Sequence, residues 1–148
     1  MIRTALAGGW RSLPGQPIDR DARTSRAADV ILQRRREYAL VEVWDWFDDV
    51  GAPLRDFDRR LGALERFAIA RMADDSLPRS AGCWIVRATQ RNRGLVKDHG
   101  HLFRARFPVP GHGWLTALRT EASMPAGPAL LWVAVAGDRL FPARLGGR

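Results

Sequence analysis

Residues 26–46 hold the strongest local signals in the chain. They read Arg26-Ala27-Ala28-Asp29-Val30-Ile31-Leu32-Gln33, then Arg34-Arg35-Arg36-Glu37, then Tyr38-Ala39-Leu40-Val41-Glu42-Val43-Trp44-Asp45-Trp46. The first segment holds the apolar run Val30-Ile31-Leu32, and the third is β-branched and aromatic, so each reads as a strand. The polar tetrad between them reads as a turn. Two strands joined so tightly form an antiparallel hairpin. Asp29 and Glu42 both lie among apolar neighbours, where an acid must be paired, hydrated or metal-bound. Their spacing in a tight hairpin brings the two carboxylates to one edge of the sheet.

Upstream of the hairpin, Leu13–Arg23, with Pro14, Gly15 and Pro17, reads as loop or irregular strand. Downstream, Pro53 suits a first helical turn, and Leu54, Phe57, Leu61, Leu64, Ala68 and Met72 recur at spacings of three and four. This pattern predicts a helix over about 53–72 with one buried stripe. Asp74–Ser80 reads as a loop and Gly82–Ala88 as a short buried strand. Thr89 caps a helix expected to run to about Phe107. Pro108–Gly113 breaks it, and Trp114, Leu115 and Leu118 suggest one more short helix. Ala129–Val135 and Arg139–Leu145 read as a C-terminal β-hairpin around Ala136-Gly137-Asp138. The order of elements predicts an α/β fold, a mixed β-sheet with flanking helices, in a single domain over 1–148.

Composition narrows the class. Hydrophobic residues are 46% and charged residues 27%, which argues against disorder. The longest apolar runs, such as Pro128–Val135, fall far short of the ~20 residues of a membrane span. No long apolar region follows Arg3, so no signal peptide is expected and a cytoplasmic location is the default. Cys83 is the only cysteine, which excludes an internal disulfide framework and a multi-cysteine zinc site. The net charge is +8, and 23 of the 24 basic residues are arginine, Lys97 being the exception. Residues 1–36 carry 8 basic and 3 acidic residues, 37–75 carry 5 and 10, and 76–148 carry 11 and 3. An acidic centre with basic flanks suits a nucleic-acid enzyme, with acids for metal and arginines for phosphate, and equally suits a solvated surface.

Two carboxylates a few ångströms apart suit Mg²⁺, which activates water and stabilises a phosphodiester transition state. The plainer alternative is that Asp29 and Glu42 form salt bridges to Arg26 or Arg87. Other residues also carry two readings. Trp44, Trp46 and Phe47 are core or base-stacking residues. Asp45, Asp48 and Asp49 are a solvated acidic loop ahead of the next helix or a substitute metal cluster. Arg87, Arg91, Arg93, Lys97, Arg104 and Arg106 form a basic helix segment in which Arg87, Arg91 and Arg93 clamp phosphate at the helix N-terminus, or which is a charged solvent face. His99 and His101 share no helix face and give no zinc site. Cys83 reads as a small core residue.

Arg26-Ala27-Ala28-Asp29-Val30-Ile31-Leu32 resembles the R-G-S-x-D-I-L segment of restriction-endonuclease-like domains, and Leu40-Val41-Glu42-Val43-Trp44 resembles their L-V-x-E-V-K. This is the PD-(D/E)XK pattern. The family core has a helix, a three-strand meander carrying the motif, a helix and a further strand. Here Gly9–Ile18 would be the first meander strand, and the resemblance covers residues 9–107. Residues 108–148 add a short helix and the C-terminal hairpin. Asp49-Val50-Gly51…Leu54…Phe57-Asp58-Arg59-Arg60 is similar to a segment of such domains that sit behind a helix-turn-helix in bacterial regulator-like proteins. The resemblance thus implies DNA, and a helix-turn-helix-containing protein, as partners. Asp29 and Glu42 would be the catalytic and metal-holding acids, but Trp44 stands where the family has its lysine. A lysine there activates water and stabilises developing charge, which tryptophan cannot do. Met1–Gly8 is also too short for the usual first helix.

The expectation is a degenerate nuclease-like domain, associated with nucleic acid through Arg87, Arg91, Arg93 and Lys97, with little or no catalysis and no cofactor. One alternative is an active Mg²⁺-dependent phosphodiesterase in which Gln33, Lys97 or an arginine replaces the lysine. A second is a non-catalytic protein-interaction module.

Overall fold

The computed structural model describes residues 8–13, 24–72 and 76–145. Strands β1 (Arg11–Leu13), β2 (Thr24–Arg34) and β3 (Glu37–Phe47) form an antiparallel meander. Helix α1 (Gly51–Arg71) then crosses over to β4 (Arg79–Arg87), which lies parallel to β3. Helices α2 (Gln90–Asp98), α3 (Gly100–Arg106) and α4 (Gly111–Arg119) lead to β5 (Ala129–Val133), parallel to β4. Strand β6 (Leu140–Pro142) turns back antiparallel. The result is an α/β fold with one mixed six-stranded sheet in sequential order β1 to β6.

Helices cover both faces of the sheet centre, which is why β3 and β4 read as near-continuous apolar runs. Tyr38, Leu40 and Trp44 of β3, with Trp84 and Val86 of β4, pack against α1, α2 and α3 through Leu54, Phe57, Leu64, Val96 and Phe103. Ala39, Val41 and Val43, with Cys83 and Ile85, pack on the other face against Trp114, Leu115 and Leu118 of α4. The alternation follows from the strand period of two.

Several boundaries differ from those expected of the sequence, β4 among them, which begins at Arg79 rather than Gly82. The first strand covers only Arg11–Leu13 rather than Gly9–Ile18, and residues 14–18 lie outside the described residues. The helix expected from Thr89 to Phe107 is two helices. His99 leaves helical geometry at φ −109°, ψ 31°, and the amides of Leu102 and Phe103 bond back to its carbonyl at 3.0 and 3.2 Å, starting a new helix. Gly100 at this joint supplies little helix propensity to oppose the break. The C-terminal hairpin is present but short, because Gly137 at φ 77° and the Gly137 amide bond to Ala134 draw residues 134–139 into the connection.

The turn between β2 and β3 is a two-residue loop, Arg35-Arg36, closed by the pair Arg34↔Glu37. Arg34 points inward and is buried. Its guanidinium donates to the carbonyls of Gly8, Ala117, Thr120 and Ala122 at 2.9, 3.3, 2.6 and 2.7 Å. It also pairs with Glu37 at 2.9 Å and lies 4.1 Å over the Trp10 ring. Glu37 in turn accepts the Met124 amide at 2.7 Å and meets Arg79 at 3.4 Å. Two of the carbonyls Arg34 holds come from the last turn and cap of α4, where partners within the helix run out.

Candidate functional site

The two-residue turn fixes the hairpin register, and that register sets Asp29 directly opposite Glu42. Opposed residues of an antiparallel pair project from the same face, with Cβ atoms about 4.5–5.5 Å apart. That face is the one covered by α1. Glu42 is fully buried between Leu40 and Trp44 along β3 and beside Trp84 on β4. Asp29 lies one strand nearer the edge, with 9% of its side chain exposed.

Helix α1 brings Arg60 onto this pair. The Arg60 Nη1 donates to Asp29 Oδ2 and lies 3.8 Å from Glu42 Oε1, while its Nε pairs with Asp56 Oδ2 at 3.1 Å, one turn back along the helix. A guanidinium thus stands among three carboxylates. The sequence reading names Arg26 or Arg87 as the partner of this pair. Arg87 pairs with Asp45 at 2.9 Å, and the Arg26 side chain lies outside the described residues. Arg60 carried a legible signal. It falls three residues after Phe57 and four before Leu64, on the buried stripe of α1, and a charge on such a stripe needs a buried partner.

Mg²⁺ does not fit this arrangement as it stands. The ion needs oxygen ligands in near-octahedral geometry and keeps several waters. Here a cation of the chain already engages Asp29, and α1 and the aromatic core close over Glu42. Trp44, at the position where the resemblance leads one to expect a lysine, is 3% exposed. Its ring lies 5.0 Å from Trp84 and 6.0 Å from Phe47 between centroids. Phe47 is core as well, whereas Trp46 is half-buried with Arg91 5.5 Å over its ring. Of the residues expected to replace that lysine, an arginine, Arg60, does stand at the acid pair, whereas Gln33 and Lys97 lie elsewhere. Gln33 accepts from Arg11 and donates to the Tyr38 hydroxyl. Lys97 is exposed on α2.

The acidic loop is divided among partners rather than gathered. Asp45 pairs with Arg87, Asp48 pairs with Arg91, and Asp49 Oδ1 accepts the Gly51 amide at 2.9 Å at the start of α1. The α2 N-terminus is capped by Thr89, whose hydroxyl accepts the Asn92 amide at 3.1 Å. Asn92 is buried and donates to the carbonyls of Asp45 and Arg87, tying the ends of β3 and β4 to the helix. So Arg87 and Arg91 meet carboxylates of their own, whereas Arg93 stacks over Trp132 and Phe141 at 5.3 and 5.7 Å. Arg106 pairs with Asp58 of α1, and Arg104 donates to the Leu145 carbonyl.

Burial pushes the Cys83 thiol well above its ordinary value, and the Glu42 carboxylate adds to the shift. The fold therefore holds the neutral thiol. The unfolded thiol ionises first as pH rises, so this contribution is complete at neutral pH and declines above the ordinary thiol value of about 8.5. Unfolding free energy is expected to fall by up to about 1.4 kcal/mol per pH unit from this group above that value. Denaturant titrations between neutral and alkaline pH check this, with Cys83→Ala expected to flatten the slope.

No helix among the described residues is long and apolar enough to cross a membrane. No protein-family model, curated protein or solved structure matches the chain.

Proposed function

We propose that this chain is a degenerate nuclease-like domain that associates with nucleic acid and does not cleave it. The observation that carries this reading is Arg60 among Asp29, Glu42 and Asp56. Two acids that resemble a nuclease's metal ligands are engaged by an arginine of the chain and covered by a helix. Trp44 packed into the core supports the same reading, because no general acid or base stands beside Glu42 on β3. The sequence of meander, helix and parallel strand supports the restriction-endonuclease-like core. The net charge of +8 supports association with a polyanion.

The experiment is a fluorescence titration with duplex DNA across salt, with and without Mg²⁺. Binding is expected to weaken steeply with salt, to ignore Mg²⁺ apart from its ionic strength, and to leave the duplex intact. Mg²⁺-dependent cleavage that vanishes in Glu42→Ala would establish the phosphodiesterase instead. Absence of binding at low salt would leave the protein-interaction module in front.

A further inference from the structure

We propose that the tip of the β2–β3 hairpin, Arg35 and Arg36, is where this domain meets the phosphodiester backbone; this rests on the nucleic-acid reading above. Both residues are exposed, and neither makes an ion pair with a carboxylate among the described residues. Two further arginines flank them in register: Arg11 on β1 opposite Gln33, and Arg79 on β4 opposite Glu37. Among the described residues, the acids at this end are Glu37, held by Arg34 and Arg79, Glu121 in the loop after α4, and Glu65, which shares a shallow cavity with Arg79. At α2 the situation is reversed, since Arg87 and Arg91 are matched one to one by Asp45 and Asp48. A phosphate there must displace a carboxylate, whereas at the tip it meets guanidinium groups without one.

The backbone supplies an independent observation. Arg35 adopts φ 55°, the one described non-glycine residue in the left-handed region. Two-residue hairpin turns normally place Gly, Asn or Asp at such a position. Arginine gains nothing locally from it, and strained positions cluster where a side chain has a task. The turn is also held rigidly. Arg34, the preceding residue, is fixed by four carbonyls and Glu37. The tip arginines thus start from a fixed base, and a planar guanidinium matches phosphate oxygens in pairs. Two side chains on a short turn touch backbone and carry no base readout, so the interaction is independent of sequence.

The test uses the full chain, a labelled mixed-sequence duplex and a salt series. Arg35→Asn with Arg36→Ser keeps a residue that tolerates the left-handed turn, and thermal melting confirms that the variant is folded. Its affinity at low salt is expected to fall about tenfold and its salt slope by roughly 2, at about 0.9 for each phosphate that is no longer neutralised. Arg87→Ala with Arg91→Ala is expected to change affinity by less than about twofold, because those charges are already paired. Parent-like binding by the tip variant, or equal losses in both variants, overturns the assignment while leaving nucleic-acid association standing. If the parent binds no duplex at any salt, the functional reading fails and this one with it. Tip-dependent binding to phosphatidylserine vesicles without duplex binding overturns both in favour of a membrane surface.

Discussion

Arg60→Met is expected to destabilise the fold by about 3 kcal/mol, a large share of a small domain's ~5–15 kcal/mol. Met replaces the volume of the side chain but not its charge. It leaves the carboxylates of Asp29 and Glu42 on a covered face without the guanidinium that lies between them. Removing one partner of a buried ion pair costs about 3–5 kcal/mol, and the 15% exposure of Arg60 places this case at the low end. Arg60→Lys is expected to recover part of the loss, since one ammonium serves Asp29 but not the fork toward Asp56. Converting the acids as well, in the triple variant Asp29→Asn, Glu42→Gln, Arg60→Met, should be less destabilised than Arg60→Met alone. Urea unfolding at neutral pH reads this as a shift in midpoint at constant m-value. Equal midpoints for the parent and Arg60→Met would show that the guanidinium contributes nothing to the fold.

Arg34→Met is expected to cost at least as much, about 3–5 kcal/mol. Hydrogen bonds to a charged group contribute about 1.5–3 kcal/mol each, and Arg34 makes them to four carbonyls and to Glu37. The sum is not additive, because water reaches some of the carbonyls once the side chain is gone. Glu37 also keeps Arg79 and the Met124 amide. The loss concentrates on the junction of the N-terminal segment, the hairpin turn and the end of α4. Hydrogen exchange in Arg34→Met is therefore expected to speed first at Thr120 and Ala122. Arg34→Lys should not rescue it, since three donors on one nitrogen cannot span acceptors on three segments. Gly8 belongs to the same junction. A Cβ built there would lie 2.0 Å from the Thr120 carbonyl oxygen, so even alanine forces the segments apart.

The β2–β3 hairpin was legible because local signals agree along its length, with the apolar run Val30-Ile31-Leu32 before a polar tetrad and β-branched and aromatic residues after it. The turn then set the register, so the Asp29–Glu42 juxtaposition was legible too. Helix α1 was legible from its spacing of three and four. The break at His99–Gly100 was not, because the apolar pattern of Leu95, Val96, Leu102 and Phe103 continues through it; it is set by packing of α3 against α1 and the sheet. The partner of the acid pair was not legible from nearby residues either. Arg60 lies 31 residues from Asp29 in the chain, and only the crossover of α1 over the sheet joins them. Its place on the buried stripe was the usable clue. The role of Arg34 was hidden for the same reason, because its acceptors are main-chain carbonyls, and sequence does not label those.

Whether the Asp29–Glu42 pair serves an internal arginine or a metal ion is read from thermal unfolding of the parent chain in millimolar Mn²⁺, against the same ionic strength of a monovalent salt. A cation bound to the native site stabilises it by RT ln(1 + [L]/Kd) and raises the Tm. With Arg60 as the internal cation, the Tm is expected to be the same in both solutions. A Tm that rises with Mn²⁺ in the parent, and does not rise in Glu42→Gln, would contradict that assignment and make the pair a metal site.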